Sequence, residues 1–418
     1  MELRKGYKQT EVGVIPEDWE VTKLSGVIES NRNIRYGVVQ PGMYDPNGCL
    51  MLRSQDYSKG WGNPDDMHRV NKTLEDQYKN ARLIKGDLII TVVGAGIGQV
   101  VITPDWLDGA ILSRSTARIA VDKAKAAKEY VLNCLISPIG ARQILDIQKE
   151  GAQPVISCLD LAKFNMPFPS IKEQTAIATA LSDMDKLIAG LEQLIEKKKA
   201  IKQGAMQELL RPKEGWVVKK LGEIFTFYPT SNYSKAEMST DGDVGCIHYG
   251  LIHAIDNANF SLSKGVKYYI SKEQAKYERV VDGDVIMVDA SEDLIGLNKS
   301  IEISDAGSNE YIAGLHTFHL RDEKSFFVKN FRGLILNSTE VKKQMLRLAV
   351  GMKVFGVSKP QLQEILLPIP SSNEQISITA TLCDMDSEIM ALENSLSKHK
   401  LLKQGMMQEL LTGKTRLL

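Results

Sequence analysis

The chain has 418 residues, of which 43% are hydrophobic and 25% charged, the composition of a folded globular protein with room for roughly two to four domains and not of a disordered or fibrous one. Basic and acidic residues balance at 52 each, so no basic excess marks a protein that grips nucleic acid by charge alone. The five cysteines are scattered with no CxxC pair, no apolar run is long enough to span a bilayer, and residues 1–7 (MELRKGY) lack a signal-peptide core, so reduced thiols in the cytoplasm are expected.

After residues 13–24 (GVIPEDWEVTKL), short β-rich runs occupy residues 38–39, 49–52, 88–93, 99–102 and 118–121, separated by Gly, Pro, Asn and Asp. Residues 124–149 read as helix, interrupted near Ser137 and Pro138. Residues 167–210 then read PFPSIKEQTAIATALSDMDKLIAGLEQLIEKKKAIKQGAMQELL, and residues 368–411 repeat them at an offset of 201 with roughly half the positions identical. A period near 200 residues means duplicated domains, not a solenoid. The second half repeats the outline of the first: Trp216 and Leu221 echo Trp19 and Leu24, Gly283-Asp284 echoes Gly86-Asp87 before an apolar strand, and residues 326–349 echo the helical stretch. Between these anchors the halves diverge, which implies one fold carrying two sets of loops.

In each repeat a Pro-x-Pro segment opposes helix, and Ser170–Glu173 or Ser371–Glu374 has the spacing of a capping box. From there about 38 residues would make a helix of roughly 55–60 Å, with Gly190 and Gly204 as soft points. Its apolar stripe is Ile177, Leu181, Met184, Ile188, Leu191 and Ile195, copied as Ile378, Leu382, Met385, Ile389, Leu392 and Leu396. Steps of four and three are those of a coiled-coil seam. Lys198 and Lys202, with His399 and Lys403, interrupt it. If a pseudo-twofold axis relates the halves, the two helices pair antiparallel and the C-terminus returns to the N-terminus, as in a circle cut once. The boundaries are 1–166, first β-rich domain; 167–211, first long helix; 212–367, second β-rich domain; and 368–418, second long helix and tail. The fold class is α+β: two β-rich globular domains separated by an antiparallel coiled coil.

Residues 94–98 (GAGIG) lack the third glycine and the helix of a dinucleotide site, and read as a hairpin turn. Gly413-Lys414-Thr415 lacks the first glycine of a P-loop. His316-x-x-His319 and His248…His253 lack ligand-spaced partners and read as partly exposed strand histidines, so no metal site is expected. Asp183 and Asp185, repeated as Asp384 and Asp386, point about 200° apart on a helix and flank the seam without sharing a ligand. Loops hold the remaining candidates: Arg32, Asn33, Arg35, Tyr36, Gln40, Arg53, Ser54, Gln55, Arg114 and Ser115 in the first half; Ser231, Asn232, Tyr233, Lys235, His248, Tyr249, Ser291 and His316 in the second. Arg, Asn and Gln can pair with base edges, while Ser and Tyr reach phosphates.

Taken together, Gly13-Val14-Ile15-Pro16-x-x-Trp19, residues 85–90 (KGDLII), residues 151–160 (GAQPVISCLD), Pro167-x-Pro169-x-x-x-Glu173-Gln174 and the twice-used KQGxMQELL resemble the specificity subunits of Type I restriction–modification systems across the whole chain. That resemblance implies two target-recognition domains, each reading one half of a bipartite asymmetric DNA sequence. It also implies a helical spacer that sets the half-site separation and docks two methyltransferase subunits. S-adenosylmethionine would be bound by those subunits and ATP with Mg²⁺ by restriction and translocase subunits. The chain itself would be non-catalytic and bind no cofactor. The second half departs from the pattern in keeping only Glu214-Gly215-Trp216 of its lead-in, and its residues 289–293 (DASED) are acidic. The alternative is a coiled-coil scaffold whose two heads bind proteins or glycans.

Overall fold

The computed structural model describes residues 5–94, 96–149, 155–294, 296–351 and 353–417, without the side chains of residues 148–149. Residues 151–154 of the GAQPVISCLD motif therefore lie outside the described residues. The chain divides into two compact units, Met1–Leu191 with Ser395–Leu418, and Glu192–Asn394. The division falls within the long helices, so each unit holds one β-rich region together with part of both.

In the first unit an antiparallel sheet runs in the order Arg35–Tyr36, Thr116–Ile119, Leu88–Thr91, Val100–Ile102. A smaller sheet joins Arg69–Val70, Cys49–Leu52 and Ile111–Leu112. The continuous apolar run of the central strand is explained by burial on both faces. Leu88 and Ile90 face the main core, whereas Ile89 packs with Leu52, Tyr57, Leu83 and Leu112. Gly94 and Gly98 turn this strand into its antiparallel neighbour Val100–Ile102, the hairpin expected from residues 94–98. The expected strand at residues 38–39 is only a single bridge, Val38 to Ser113. The interrupted helical stretch consists of Lys128–Ile136 and Pro138–Lys149.

The second unit rebuilds this frame. Its five-stranded sheet has the order Thr226–Tyr228, Thr317–Arg321, Val285–Val288, Ser300–Ser304, Asn259–Ser261. Val285 and Met287 face one core while Ile286 and Val288 face another. Gly86 and Gly283 both have positive φ, 86° and 88°, at the turn before the central strand, a conformation that favours glycine. Asp87 and Asp284 each accept from the backbone amide three residues earlier, Ile84 and Val281.

The long helices are Ile171–Leu209 and Ser372–Leu410, 39 residues each. Ser170 Oγ accepts from the Glu173 amide at 3.3 Å and Ser371 Oγ from that of Glu374 at 3.4 Å. The expected reciprocal half of the capping box is replaced. Each glutamate instead accepts from an indole: Trp19 Nε1 to Glu173 at 3.2 Å, and Trp216 Nε1 to Glu374 at 2.9 Å. The following glutamine is equally committed, since Gln174 bonds Pro169 O and the Ala127 amide, and Gln375 bonds Pro370 O and the Val328 amide. The Trp and Glu-Gln echoes in the sequence are thus one device that seats each helix on its own domain.

Within each unit the helix segments run antiparallel. In the second unit Lys198 pairs with Glu388 at 2.6 Å and Lys202 with Asp386, one number rising as the other falls. In the first, Lys403 pairs with Asp185 at 2.5 Å. Of the lysines that interrupt the apolar stripe, Lys202 and Lys403 are therefore cross-helix partners of the flanking Asp386 and Asp185, and Lys198 is the partner of Glu388. Ile177 and Leu181 are buried with Met407 and Leu410, and Ile378 and Leu382 with Leu210. Met184, Ile188, Leu191, Met385 and Leu392 are half-buried, Ile389 and Ile195 buried. The tail closes on the N-terminal segment of the first unit: Tyr7 Oη donates to Gly413 O at 3.0 Å, and Arg416 pairs with both Asp18 and Glu173.

Candidate nucleic-acid interface

The candidate residues of the first unit separate into two groups. One gathers where the central strand ends at Thr91. There the Ser54 amide donates to Ser115 Oγ at 3.2 Å, Ser115 Oγ meets Ser113 Oγ at 2.8 Å, and the Arg114 amide donates to Val38 O. Tyr57 Oη contacts Thr91 Oγ1 at 2.6 Å and its carbonyl accepts from Gln99 Nε2, which ties the 53–57 turn to the hairpin. Arg53 is held by Asp56 at 2.8 Å, while Tyr36, Gln40, Gln55 and Arg114 are exposed. The other group, Arg32, Asn33 and Arg35, lies towards the start of the central strand, with Arg35 next to Tyr36 in the edge strand and paired with Arg118. Arg32 is a correction: both its terminal nitrogens are committed to the buried Asp87, so it neutralises an internal carboxylate.

In the second unit Tyr249 is ringed by histidines, with centroids 4.3 Å from His248, 5.9 Å from His253 and 5.6 Å from His316. His316 has φ +58° and its Nδ1 stands 3.4 Å from Asp289. Burial pushes the Asp289 carboxyl up, with His316 opposing. Tyr249, His253, Ser291, Asp293, Lys299 and His316 line a cleft of about 1270 Å³. Lys199 and Lys202 of the first long helix line it as well. His248 is 2% exposed and supports this cluster from below: its Nδ1 accepts from the Gly250 amide, capping the short helix Tyr249–His253. Burial, with Lys235 and His316 nearby, lowers its pKa to about 4, so the ring is neutral near pH 7.

Several expectations are corrected here. Ser231 is buried against Cys246 Sγ, and Tyr233 donates to Gln274 O, so both brace the domain, while Asn232 and Lys235 are exposed. Ser291 is buried and accepts from the Asp293 amide. The histidines are not partly exposed strand residues as a set. His319 is fully buried with its Nε2 2.7 Å from Asp284, and His253 ends a short helix. Among the described residues no group of three or more His, Cys, Asp or Glu is placed to hold a metal. Residues missed in the sequence are His253, Asp289 and Lys299. The first two were visible as part of a histidine pair and an acidic loop, but nothing in the sequence joins Lys299 to them.

Two units of one frame, each ending its central strand in different polar loops, define a duplicated recognition protein. The chain belongs to the family of Type I restriction modification DNA specificity domains, whose model matches residues 16–202 and 213–401. It is 29% identical over 197 residues to the type I restriction enzyme EcoBI specificity subunit of Escherichia coli, covering 47% of this chain and 41% of that protein. It is 25% identical over 439 residues to the putative type I restriction enzyme MjaX specificity subunit of Methanocaldococcus jannaschii, covering 99% and 97%. The chain thus spans less than half of the first relative and nearly all of the second. Among solved structures, the type I restriction–modification S subunit from M. genitalium aligns with TM-score 0.54 at 15% identity, covering 98% of both chains. A chain from a study of complex assembly and conformational transition of the type I R-M system aligns with TM-score 0.59 at 16% identity, covering 96% and 99%. At these identities the structural likeness concerns the fold.

Proposed function

We propose that the chain is the DNA-reading subunit of a Type I restriction–modification complex. One half of a bipartite, asymmetric target is read by the loops around Arg114 and Ser115, the other by those around Tyr249 and His316. The observation that carries this reading is the repeated frame with unlike loops, in a family matched over both halves. Unlike loops on like frames select unlike half-sites. In the second unit, Asp289, Glu292 and Asp293 beside Tyr249 are acceptors suited to the cytosine amino group, and the lysines of the cleft suit phosphates.

The chain acts without a catalytic site or cofactor of its own. Two methyltransferase subunits dock on the helices and carry S-adenosylmethionine, and restriction and translocase subunits carry ATP and Mg²⁺. Equal numbers of basic and acidic residues fit a division of labour in which those partners share the grip on phosphate. A cytoplasmic location agrees with five free cysteines, and among the described residues no helix is long and apolar enough to cross a membrane. The uninterrupted 39-residue helices serve as the ruler between half-sites. Deleting one heptad from both removes about 10 Å of helix, close to three base pairs. The expected result is a target with a correspondingly shorter gap. An unchanged gap in a folded variant would refute the ruler.

A further inference from the structure

The first unit holds a pocket of about 450 Å³ at the end of its sheet away from Arg114 and Ser115. Arg118 lies in the strand Thr116–Ile119, beyond the turn that carries Arg114 and Ser115. The cations lining the pocket are Arg32, Arg35, Lys79, Arg82 and Arg118, and Asp108 is the acid lining it. Arg32 and Arg82 have carboxylate partners, Asp87 and Glu75. Among the described residues Arg35, Lys79 and Arg118 have none within ion-pair distance.

Two features of Arg118 are not explained by packing alone. It stands directly opposite Arg35 in the antiparallel ladder, and like charges so placed repel. It is only 3% exposed, yet its guanidinium donates to three backbone carbonyls, Asn80, Arg82 and Asn33, and meets no carboxylate. Its Nε is buried without a partner among the described residues, which calls for an explanation. Burial and the nearby Arg32 and Arg35 push its pKa down, as expected of a crowded cation. The frame does not demand this arrangement. At the matching place in the second unit stands His319, bonded to Asp284, and Arg321 there is neutralised by Asp284 and Glu278.

We propose that this pocket binds a phosphate group, its oxygens taken by the forked donors of Arg35 and the ammonium of Lys79, with the buried charge of Arg118 behind them. The phosphate is either a backbone phosphodiester of the recognised duplex, a reading that rests on the proposed DNA recognition, or a free phosphate.

The test compares the full-length chain with an Arg35→Gln/Lys79→Gln variant, both substitutions lying on the exposed rim. Melting is followed in chloride and in inorganic phosphate at matched ionic strength. Comparing the two proteins cancels the general stabilising effect of phosphate as a salt. Phosphate is expected to raise the melting temperature of the parent more than that of the variant. In chloride the variant is expected to melt no lower than the parent, because repulsion opposite Arg118 is relieved. Binding to a mixed-sequence duplex is then measured across salt concentrations. If the pocket takes a backbone phosphate, the slope of log K against log salt becomes shallower by about 0.9 per lost contact. A phosphate effect with unchanged slope assigns the site to free phosphate. Equal phosphate responses together with equal slopes would overturn the proposal. A parent that binds no duplex counts against DNA recognition itself and leaves the phosphate titration to decide the pocket.

Discussion

Replacing Arg416 by alanine should loosen the first unit and leave the second intact. Arg416 gives Nε to Glu173 at 2.5 Å and two further bonds to Asp18 at 3.0 Å, and it lies over the Trp19 ring. The Glu173 side chain is 3% exposed and would keep only the indole, so losing a charged hydrogen-bond partner there costs about 2–3 kcal/mol. The Asp18 side chain is 64% exposed, and screening holds its share below about 1 kcal/mol. Stacking over Trp19 adds about 0.5 kcal/mol. The sum, near 3 kcal/mol, corresponds to about 100-fold faster opening-limited amide exchange. Hydrogen exchange at Glu20–Lys23 and at the start of Ile171–Leu209 would report it, because a protein of two units has no single unfolding free energy. The matching change in the second unit, Lys213→Ala, breaks an exposed pair with Glu374 and should cost under about 1 kcal/mol. Less than about twofold acceleration in the Arg416 variant, or equal acceleration at Val217–Lys220, would refute the clasp.

Asp284 offers a second test. Burial acts to raise its pKa, but hydrogen bonds from Arg321 and His319 outweigh that and hold it below the usual carboxylate value of 3.8. A depressed folded pKa means stability present above the unfolded value and lost as pH falls through the folded one, so the second unit should weaken in acid below about pH 4. Asp284→Asn should cost about 3 kcal/mol at neutral pH by removing the buried carboxylate that bonds His319 and leaving Arg321 only the partly exposed Glu278, measured by exchange at Val285–Val288. His248 should titrate near pH 4 by NMR. Its pKa is depressed from 6.5, so the unfolded chain takes up the proton first and the second unit should lose stability as pH falls from about 6.5 towards 4. A His248 pKa at the ordinary value would contradict its role as a neutral cap. Arg114→Ala should relax recognition of one half-site by about 1–3 kcal/mol and Tyr249→Ala that of the other. If both variants altered the same half-site in binding selections, the assignment of one half to each unit would fail.

The duplicated frame was legible because its anchors act locally. Trp19 and Glu173-Gln174, repeated as Trp216 and Glu374-Gln375, keep their spacing and do the same job in each unit. The lysines in the apolar stripe were not legible as contacts. A lysine reads as an interruption until the register of the opposing helix is known, and only then does Lys202 meet Asp386 and Lys403 meet Asp185. Residue type and loop position mark candidate contacts in the sequence, and burial sorts them in the structure. Arg32, Ser231, His248 and Ser291 are turned inward by partners distant in sequence or by the turn they cap, whereas Arg114, Tyr249 and His316 remain accessible. Lys299 reaches the second cluster because its Nζ bonds His253 O, a pairing across 46 positions that no local pattern encodes.

The most direct test of the central claim is a genome-wide map of methylated bases in cells with and without this chain, repeated with Tyr249→Ala. DNA recognition by two unlike units predicts that removing the chain erases one split, asymmetric motif, and that Tyr249→Ala degrades one half of that motif while the other stays intact. An unchanged methylation map on removal would contradict the account.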